Sequence, residues 1–442
     1  MDAPTAAPGP TSRALTLDIA LTLGGKFAVT LFQIAGMVLI ARRLGPSGRG
    51  YVGVAMALLL LLQQLGSLGL ATANPYFGVQ DRRRLERIIA NSIAVAVVVG
   101  GLLAGFTLLV RLVAPSTMRG LSWLDVGLVA AALPGSLLFL YLQSILLGEG
   151  RMVAYNLVEA GQNIVATLLV ALGLVGLGMH VTGAVAVLTC VYWLGAITYL
   201  ALLRAGTARV GRVDLGLVRR MLAYAARVYL ATFLGFLIIR LDLLLVNGYL
   251  GARQAGLYGV AGSMADGLFV VPLVIGLNVF PRVAAGASSG TSAAVFRFVA
   301  LAYGAVVLAS ALLAGPIISL LYGSAFAPAA GLYRWLSPGV FSLGLVTVLS
   351  QHFAGRGFPR QALVVWFVGL AVNLAINLAF LPGHGAYVAA LSSSVAYTLL
   401  LALHVRLFAR EVGGVRELVP RPSEFAAYIR ALVHRAAPAT SR

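Results

Sequence analysis

Among the ionisable side chains that stand in stretches apolar enough to occupy hydrocarbon are Lys26, Glu159, Arg227, Arg240, Asp242 and Asp266. A charge at the centre of a spanning helix costs about 2.5 to 3.5 kcal/mol on the insertion scale, so such groups face a polar cavity, pair with one another or reach an interface. Arg227, Arg240, Asp242 and Asp266 fall between Arg227 and Arg282, which reads as two membrane-length helices joined by a short loop. That hairpin is expected to line a transport pathway. Arg240 and Asp242 are two positions apart, so on a helix they point to different faces and pair poorly. Asp266 lies about as far past the loop at Arg253 as Arg240 lies before it, which predicts an Arg240–Asp266 contact. Asp242 is then left unpaired and becomes the first candidate for ion or proton coupling, because a buried carboxylate can load and release a proton. Glu159 is a second candidate, on a polar stripe with Asn156 and Asn163; the same stripe, near the inner end of its span, also fits contact with headgroups. Asn373 and Asn377, four apart on one face, are expected to join helices by hydrogen bonds rather than to bind a ligand.

The elements that must position these groups follow from hydropathy. The 442 residues are 60% hydrophobic and only 10% charged, and apolar runs of membrane length recur from end to end. The chain therefore reads as an all-α integral membrane protein with about twelve spans, near 16–41, 51–77, 88–112, 123–147, 152–177, 181–203, 221–247, 255–281, 295–321, 331–353, 361–381 and 385–408. Residues 1–15 read as a disordered tail rather than a cleavable signal, and 204–220, the longest polar connection, separates an N-lobe (16–203) from a C-lobe (221–409); a basic tail (410–442) follows. Within that tail, 422–434 carries the pattern of a short interfacial helix, with a disordered end as the alternative. The net charge of +19 is almost all arginine and gathers on alternate loops, as the positive-inside rule requires of a chain with both termini cytoplasmic. The run Asp81–Arg87 reads as an anchor on anionic lipid, and the basicity as topology rather than nucleic-acid binding. A single cysteine, Cys190, excludes an internal disulfide, and five scattered histidines give no metal-ligand spacing; neither metal nor cofactor is expected.

The two lobes echo each other. Leu44–Ala55 reads L-G-P-S-G-R-G-Y-V-G-V-A and Leu250–Ala261 reads L-G-A-R-Q-A-G-L-Y-G-V-A, with Leu, three Gly, Val and Ala coinciding at an offset of 206. An even number of spans separates the copies, so the six-helix lobes should be related by a pseudo-two-fold axis along the membrane normal, around a central cavity. On that offset Lys26 matches Thr232, eight residues before Arg240, so the two cations should differ in depth by about 12 Å. Gln33 falls beside the position equivalent to Arg240. Small residues at Gly24, Gly25, Gly36, Gly66, Gly69, Gly259, Gly262 and Gly267 suit close helix contacts.

Three stretches resemble the polysaccharide flippases of the multidrug/oligosaccharidyl-lipid/polysaccharide exporter superfamily, the group that includes O-antigen flippases. They are A-R-R-L-G-P-S-G-R-G-Y (Ala41–Tyr51), the run Arg240–Ala261 with its Asp in span seven, and Leu320–Leu336 followed by Gly355–Arg360 and Asn373–Tyr397. The resemblance covers nearly the whole chain. It implies an exporter, not an enzyme, moving a lipid-linked, undecaprenyl-pyrophosphate-type oligosaccharide from the inner to the outer face of a bacterial cytoplasmic membrane by alternating access. It also implies proton or sodium coupling and neighbouring glycosyltransferases and polymerase. On that reading Lys26 and Arg240 are the stations for the pyrophosphate, Lys26 in the inner half and Arg240 further out, and Gln33 is placed to hydrogen-bond sugar hydroxyls. Lys26 at the inner end of its span also fits snorkelling to the interface. Alternatives are a peptidoglycan-precursor or multidrug exporter of the same superfamily, or a membrane polymerase or ligase; a cation-extruding pump would place an acidic cavity where this chain has two cations.

Overall fold

The computed structural model describes residues 12–78, 82–206, 210–284, 286, 288–356 and 360–420, with side chains from Val29 onward except at 82–83, 116–117, 227–228, 277–278, 281–282 and 284. Among these residues the secondary structure is helical, without strands. The α-helices are α1 (Ser12–Gly66), α2 (Leu70–Gly78), α3 (Arg82–Val113), α4 (Trp123–Gly148), α5 (Met152–Ala171), α6 (Val181–Ala205), α7 (Leu215–Leu250), α8 (Ala252–Ala284), α9 (Ser289–Leu312), α10 (Ala314–Tyr322), α11 (Ala329–Gly355), α12 (Arg360–His384) and α13 (Tyr387–Val412). Eleven stretches are long and apolar enough to cross a membrane, and one of them, Val29–Gly66, runs 38 residues. α1 as a whole spans 55 residues and breaks at Gly45 (φ 66°), where Pro46 restarts the helix. Glycine carries the positive φ at no steric cost and proline needs no hydrogen-bond acceptor at a helix start, so α1 divides at Gly45 into two helical segments.

Breaks elsewhere fall at residues suited to them. Leu68 and Gly69 both take positive φ, which separates α2 from α1. A Cβ on Gly69 would lie 2.7 Å from that of Ala225, so α7 packs against the turn, and Tyr229 donates to Leu65 O across the same contact (2.7 Å). α4 opens on a capping box in which Ser122 Oγ accepts from Asp125 N–H and Ser122 N–H donates to the Asp125 carboxylate. Large apolar side chains such as Leu102, Leu112, Leu157, Leu312 and Leu320 stand outward, as a bilayer requires and water does not tolerate over such an area.

The chain forms two compact units. Unit 1 gathers the described residues of Met1–Leu44, Leu58–Pro115 and Leu121–Tyr229; unit 2 gathers those of Gly45–Ala57, Ser116–Gly120 and Leu230–Arg442. The unit boundary thus falls within α7, past the expected 204–220 connection. The reason is packing: Leu217, Met221 and Ala225 of α7 are buried with Ile88, Ile89, Leu142, Leu146 and Tyr199 of unit 1. The connection is also tied down. Asn91 and Asp214 exchange hydrogen bonds (Asp214 N–H to Oδ1, 2.7 Å; Nδ2 to Asp214 O, 3.1 Å), Gly211 N–H donates to Glu86 O, and Arg87 pairs with Asp214 at 3.0 Å. Asp214 caps α7 through Leu217 N–H, and that bond, with Arg87 beside it, holds its carboxyl below the usual carboxylate range. The tail pattern at 422–434 lies outside the described residues.

In unit 2 the two copies of the repeated motif cross at backbone contact. A Cβ on Gly50 would sit 1.8 Å from Ala252 O, and one on Gly256 would sit 1.9 Å from Pro46 O. Gly50 and Gly256 are equivalent at the offset of 206, and so are Pro46 and Ala252, so the crossing is symmetric. Gly66 and Gly69 are also tightly packed, whereas Gly262 and Gly267 meet open space and are not the close contacts expected of them; Gly24 and Gly25 have no described surroundings.

Candidate functional site

Two polar groups of unit 2 are built on the α7–α8 hairpin. Arg240 Nη1 lies 2.9 Å from Asp266 Oδ2, the contact that their equal distances from the loop lead one to expect. The contact is single-point. Arg240 Nε is buried without a partner, and the two side chains remain 33% and 38% exposed, so both are reachable. Phe236, one turn earlier on α7, puts its ring 6.0 Å from the guanidinium carbon.

Arg49 joins this group, and the sequence reading missed it. It was placed in the loop between the first two spans, but the helix restarts at Pro46 and carries Arg49 into unit 2, where it is 4% exposed. Its Nη2 donates to Ser263 Oγ at 3.1 Å, and Ser263 donates in turn to Gly259 O. The slot is cut by glycine: a Cβ on Gly53 would lie 2.7 Å from Arg49 Nη1 and one on Gly259 3.6 Å from it. Arg240, Asp266 and Tyr322 are all within electrostatic reach of Arg49. Its equivalent in the repeat is Ala255, so the motif's symmetry is broken at this residue. An arginine between glycines in an otherwise small-residue turn is the signal that was present.

Asp242 occupies a different surrounding on the same helix. It is fully buried and, contrary to the expectation that it is unpaired, accepts from Tyr258 Oη of α8 (3.1 Å), Asn377 Nδ2 (3.0 Å) and Asn373 Nδ2 (3.5 Å) of α12, and Ser393 Oγ of α13. All four donors are neutral. The pairing the sequence could not supply comes mostly from residues far along the chain, on α12 and α13, with Tyr258 of α8 beside them. Asn373 and Asn377 do join helices, with Ser392 Oγ accepting from both, and the group they serve is Asp242. Asn377 Oδ1 is buried without a partner. Tyr397, donating to Ile238 O, sits within electrostatic reach of Asp242, Asp266 and Arg240 together.

The remaining expected site residues are elsewhere. The side chains of Lys26 and Arg227 lie outside the described residues. Gln33 is exposed on α1 in unit 1. Glu159 is half-buried on α5 in unit 1, where Asn163 donates to its backbone carbonyl (2.8 Å) and Gln162 to Val191 O (2.7 Å). Among the described residues no cluster of three His, Cys, Asp or Glu could hold a metal.

The sequence model of the family described as "Polysaccharide biosynthesis protein" matches residues 15–285, more than half of the chain. No curated protein matches it in sequence. Solved structures share the fold. A lipid II flippase MurJ in an inward closed conformation superposes with a TM-score of 0.70 at 12% identity, covering 96% of this chain and 94% of that one. An inward-facing multidrug resistance MATE transporter of the MOP superfamily gives 0.65 at 16% identity, with 88% and 96% covered. A MOP-superfamily transporter from Pyrococcus furiosus, distinguished by the reverse polarity of its binding pocket, gives 0.59 at 15% identity, with 91% and 96% covered.

Proposed function

Because this chain belongs to the polysaccharide biosynthesis protein family, with the two-lobed fold of MOP-superfamily transporters, we propose that it is a flippase for a lipid-linked oligosaccharide of the undecaprenyl-pyrophosphate type. The headgroup moves from the inner to the outer face of the cytoplasmic membrane by alternating access, with both chain termini cytoplasmic. The observation that carries this reading is an accessible arginine inside a span, Arg240, with unused donors and a second arginine, Arg49, buried close by. A diphosphate and its sugars are too polar for hydrocarbon, but a cationic cleft open to the bilayer lets the headgroup pass while the lipid tail stays outside. Arginine suits the task because its fork can engage two phosphate oxygens at once. Lys26 supplies the inner station and Gln33 a sugar contact.

Asp242 supplies the coupling group. A carboxylate enclosed by neutral donors, with the unpartnered Asn377 Oδ1 on the adjoining amide, can take a proton or an oxygen-seeking cation such as sodium. Asp266 and Glu159 are secondary candidates. A second reading, export of a peptidoglycan precursor, is favoured by the likeness to the lipid II flippase over 96% of the chain. It shares the diphosphate and differs in the sugar. The test is reconstitution in liposomes with fluorescent undecaprenyl-diphosphate sugars, one carrying a plain oligosaccharide and one a peptide-bearing precursor. Lys26→Ala and Arg240→Ala should each lower flipping at least tenfold; full activity in both would remove the cationic stations from the mechanism. Movement of the peptide-bearing substrate alone would select the second reading.

A further inference from the structure

Asp266 holds Arg240, an arginine that stands accessible within an apolar span. Three features of that pair stand out. It is made by one nitrogen and one oxygen, which leaves the guanidinium fork largely unused and its Nε buried and unpartnered. Both groups are about one-third exposed, so an entering ligand reaches either without first opening the helices. Arg49, the neighbouring cation, is hydrogen-bonded to Ser263 and lies within electrostatic reach of both members of the pair, adding positive charge beside it.

A lone guanidinium at this depth is costly, and a single carboxylate contact relieves part of that cost. A diphosphate carries more charge and more acceptor oxygens, and it can use the part of the guanidinium fork that Asp266 leaves idle. We propose that Asp266 is the resting counter-ion of Arg240 and that a lipid diphosphate headgroup enters by displacing it, binding being an exchange of one anion for another. The proposal rests on the reading of Arg240 as the diphosphate station. Asp266 thereby acts as an internal competitor: the apparent affinity falls by the fraction of time Arg240 is occupied. After transfer the same carboxylate reclaims Arg240 and repels the departing diphosphate. A station without this competitor would hold its ligand too long.

The test uses the full chain in nanodiscs, with undecaprenyl diphosphate and inorganic diphosphate as probes. Asp266→Asn, nearly isosteric, should bind undecaprenyl diphosphate about tenfold more tightly, the scale of a close charge pair, while turnover in liposomes falls because release slows. Asp266→Glu should restore both values towards wild type. Arg240→Gln should abolish the gain when combined with Asp266→Asn. If Arg240→Gln alone leaves binding intact, the diphosphate reading of Arg240 fails. If Arg240→Gln weakens binding but Asp266→Asn does not tighten it, that reading stands and the counter-ion proposal is overturned. A lowered melting temperature with unchanged affinity in Asp266→Asn marks a purely structural helix link and overturns it as well. Tightening for inorganic diphosphate alone would assign the pair to a free anion and reject the lipid headgroup.

Discussion

Asp242 and Arg240 are two residues apart on α7 and do opposite things with their charge. Arg240 keeps a single partner and remains reachable; Asp242 is sealed among four neutral donors from three other helices. Hydrogen bonds to a charged group are worth about 1.5 to 3 kcal/mol each, so the ionised carboxylate is well supported and the surrounding hydroxyls and amides are ordered by it. Asp242→Asn replaces an acceptor with a group that also donates, in a site where every neighbour already donates. The substitution should abolish dependence of flipping on an ion gradient, with sodium and proton gradients imposed separately to identify the coupled ion. Gradient-driven flipping equal to wild type would rule Asp242 out of coupling. Tyr258→Phe removes one donor and keeps the ring, and is expected to lower thermal stability while retaining gradient dependence, since the carboxylate and three donors stay.

At the scale of elements, the crossing of α1 and α8 explains the repeated glycines. Gly50 and Gly256 each present backbone to backbone, so Gly50→Ala or Gly256→Ala forces a methyl into a carbonyl oxygen less than 2 Å away. Each should cost about 1–3 kcal/mol or more in overpacking, read as a lower melting temperature of the purified protein. Gly262→Ala and Gly267→Ala, where a Cβ meets nothing within 4 Å, should be neutral or gain up to about 1 kcal/mol from helix propensity. Equal effects at the four positions would refute the crossing. The repeat itself was legible in the sequence because it is a matter of residue identity at fixed offset. Which glycines are tight was not, because that depends on the neighbour each one faces. The spans were likewise legible: Trp123–Gly148 and Val181–Ala205 fall within two residues of the ranges read from hydropathy, since twenty apolar residues leave little freedom. Arg49 was less legible, because a Gly-Pro pair ends one helix as readily as it opens the next, and only the packing in unit 2 shows that the helix resumes at Pro46 and buries the arginine. The Asp242 cage was lost for want of long-range information, its amides lying more than 130 positions away.

For the whole molecule the orientation in the membrane decides which way the proposed stations are filled. The expectation that the arginine-rich connections face the cytoplasm places the α7–α8 turn outside, and with it Arg240 in the outer half and Lys26 in the inner. Chain direction alone cannot distinguish this from its inverse, because a helical bundle is equally stable either way up in hydrocarbon; only loop charge and the membrane's asymmetry discriminate. Single cysteines settle it. In a Cys190→Ser background, His180→Cys before α6 and Ser324→Cys before α11 stand on exposed turns expected outside, while Arg212→Cys before α7 and Ser288→Cys before α9 stand on exposed turns expected inside. A membrane-impermeant maleimide should label the first two in intact cells and the second two only after permeabilisation. The opposite pattern would invert the order of the stations: Arg240 would then meet the headgroup first, and the exchange with Asp266 would govern loading rather than release.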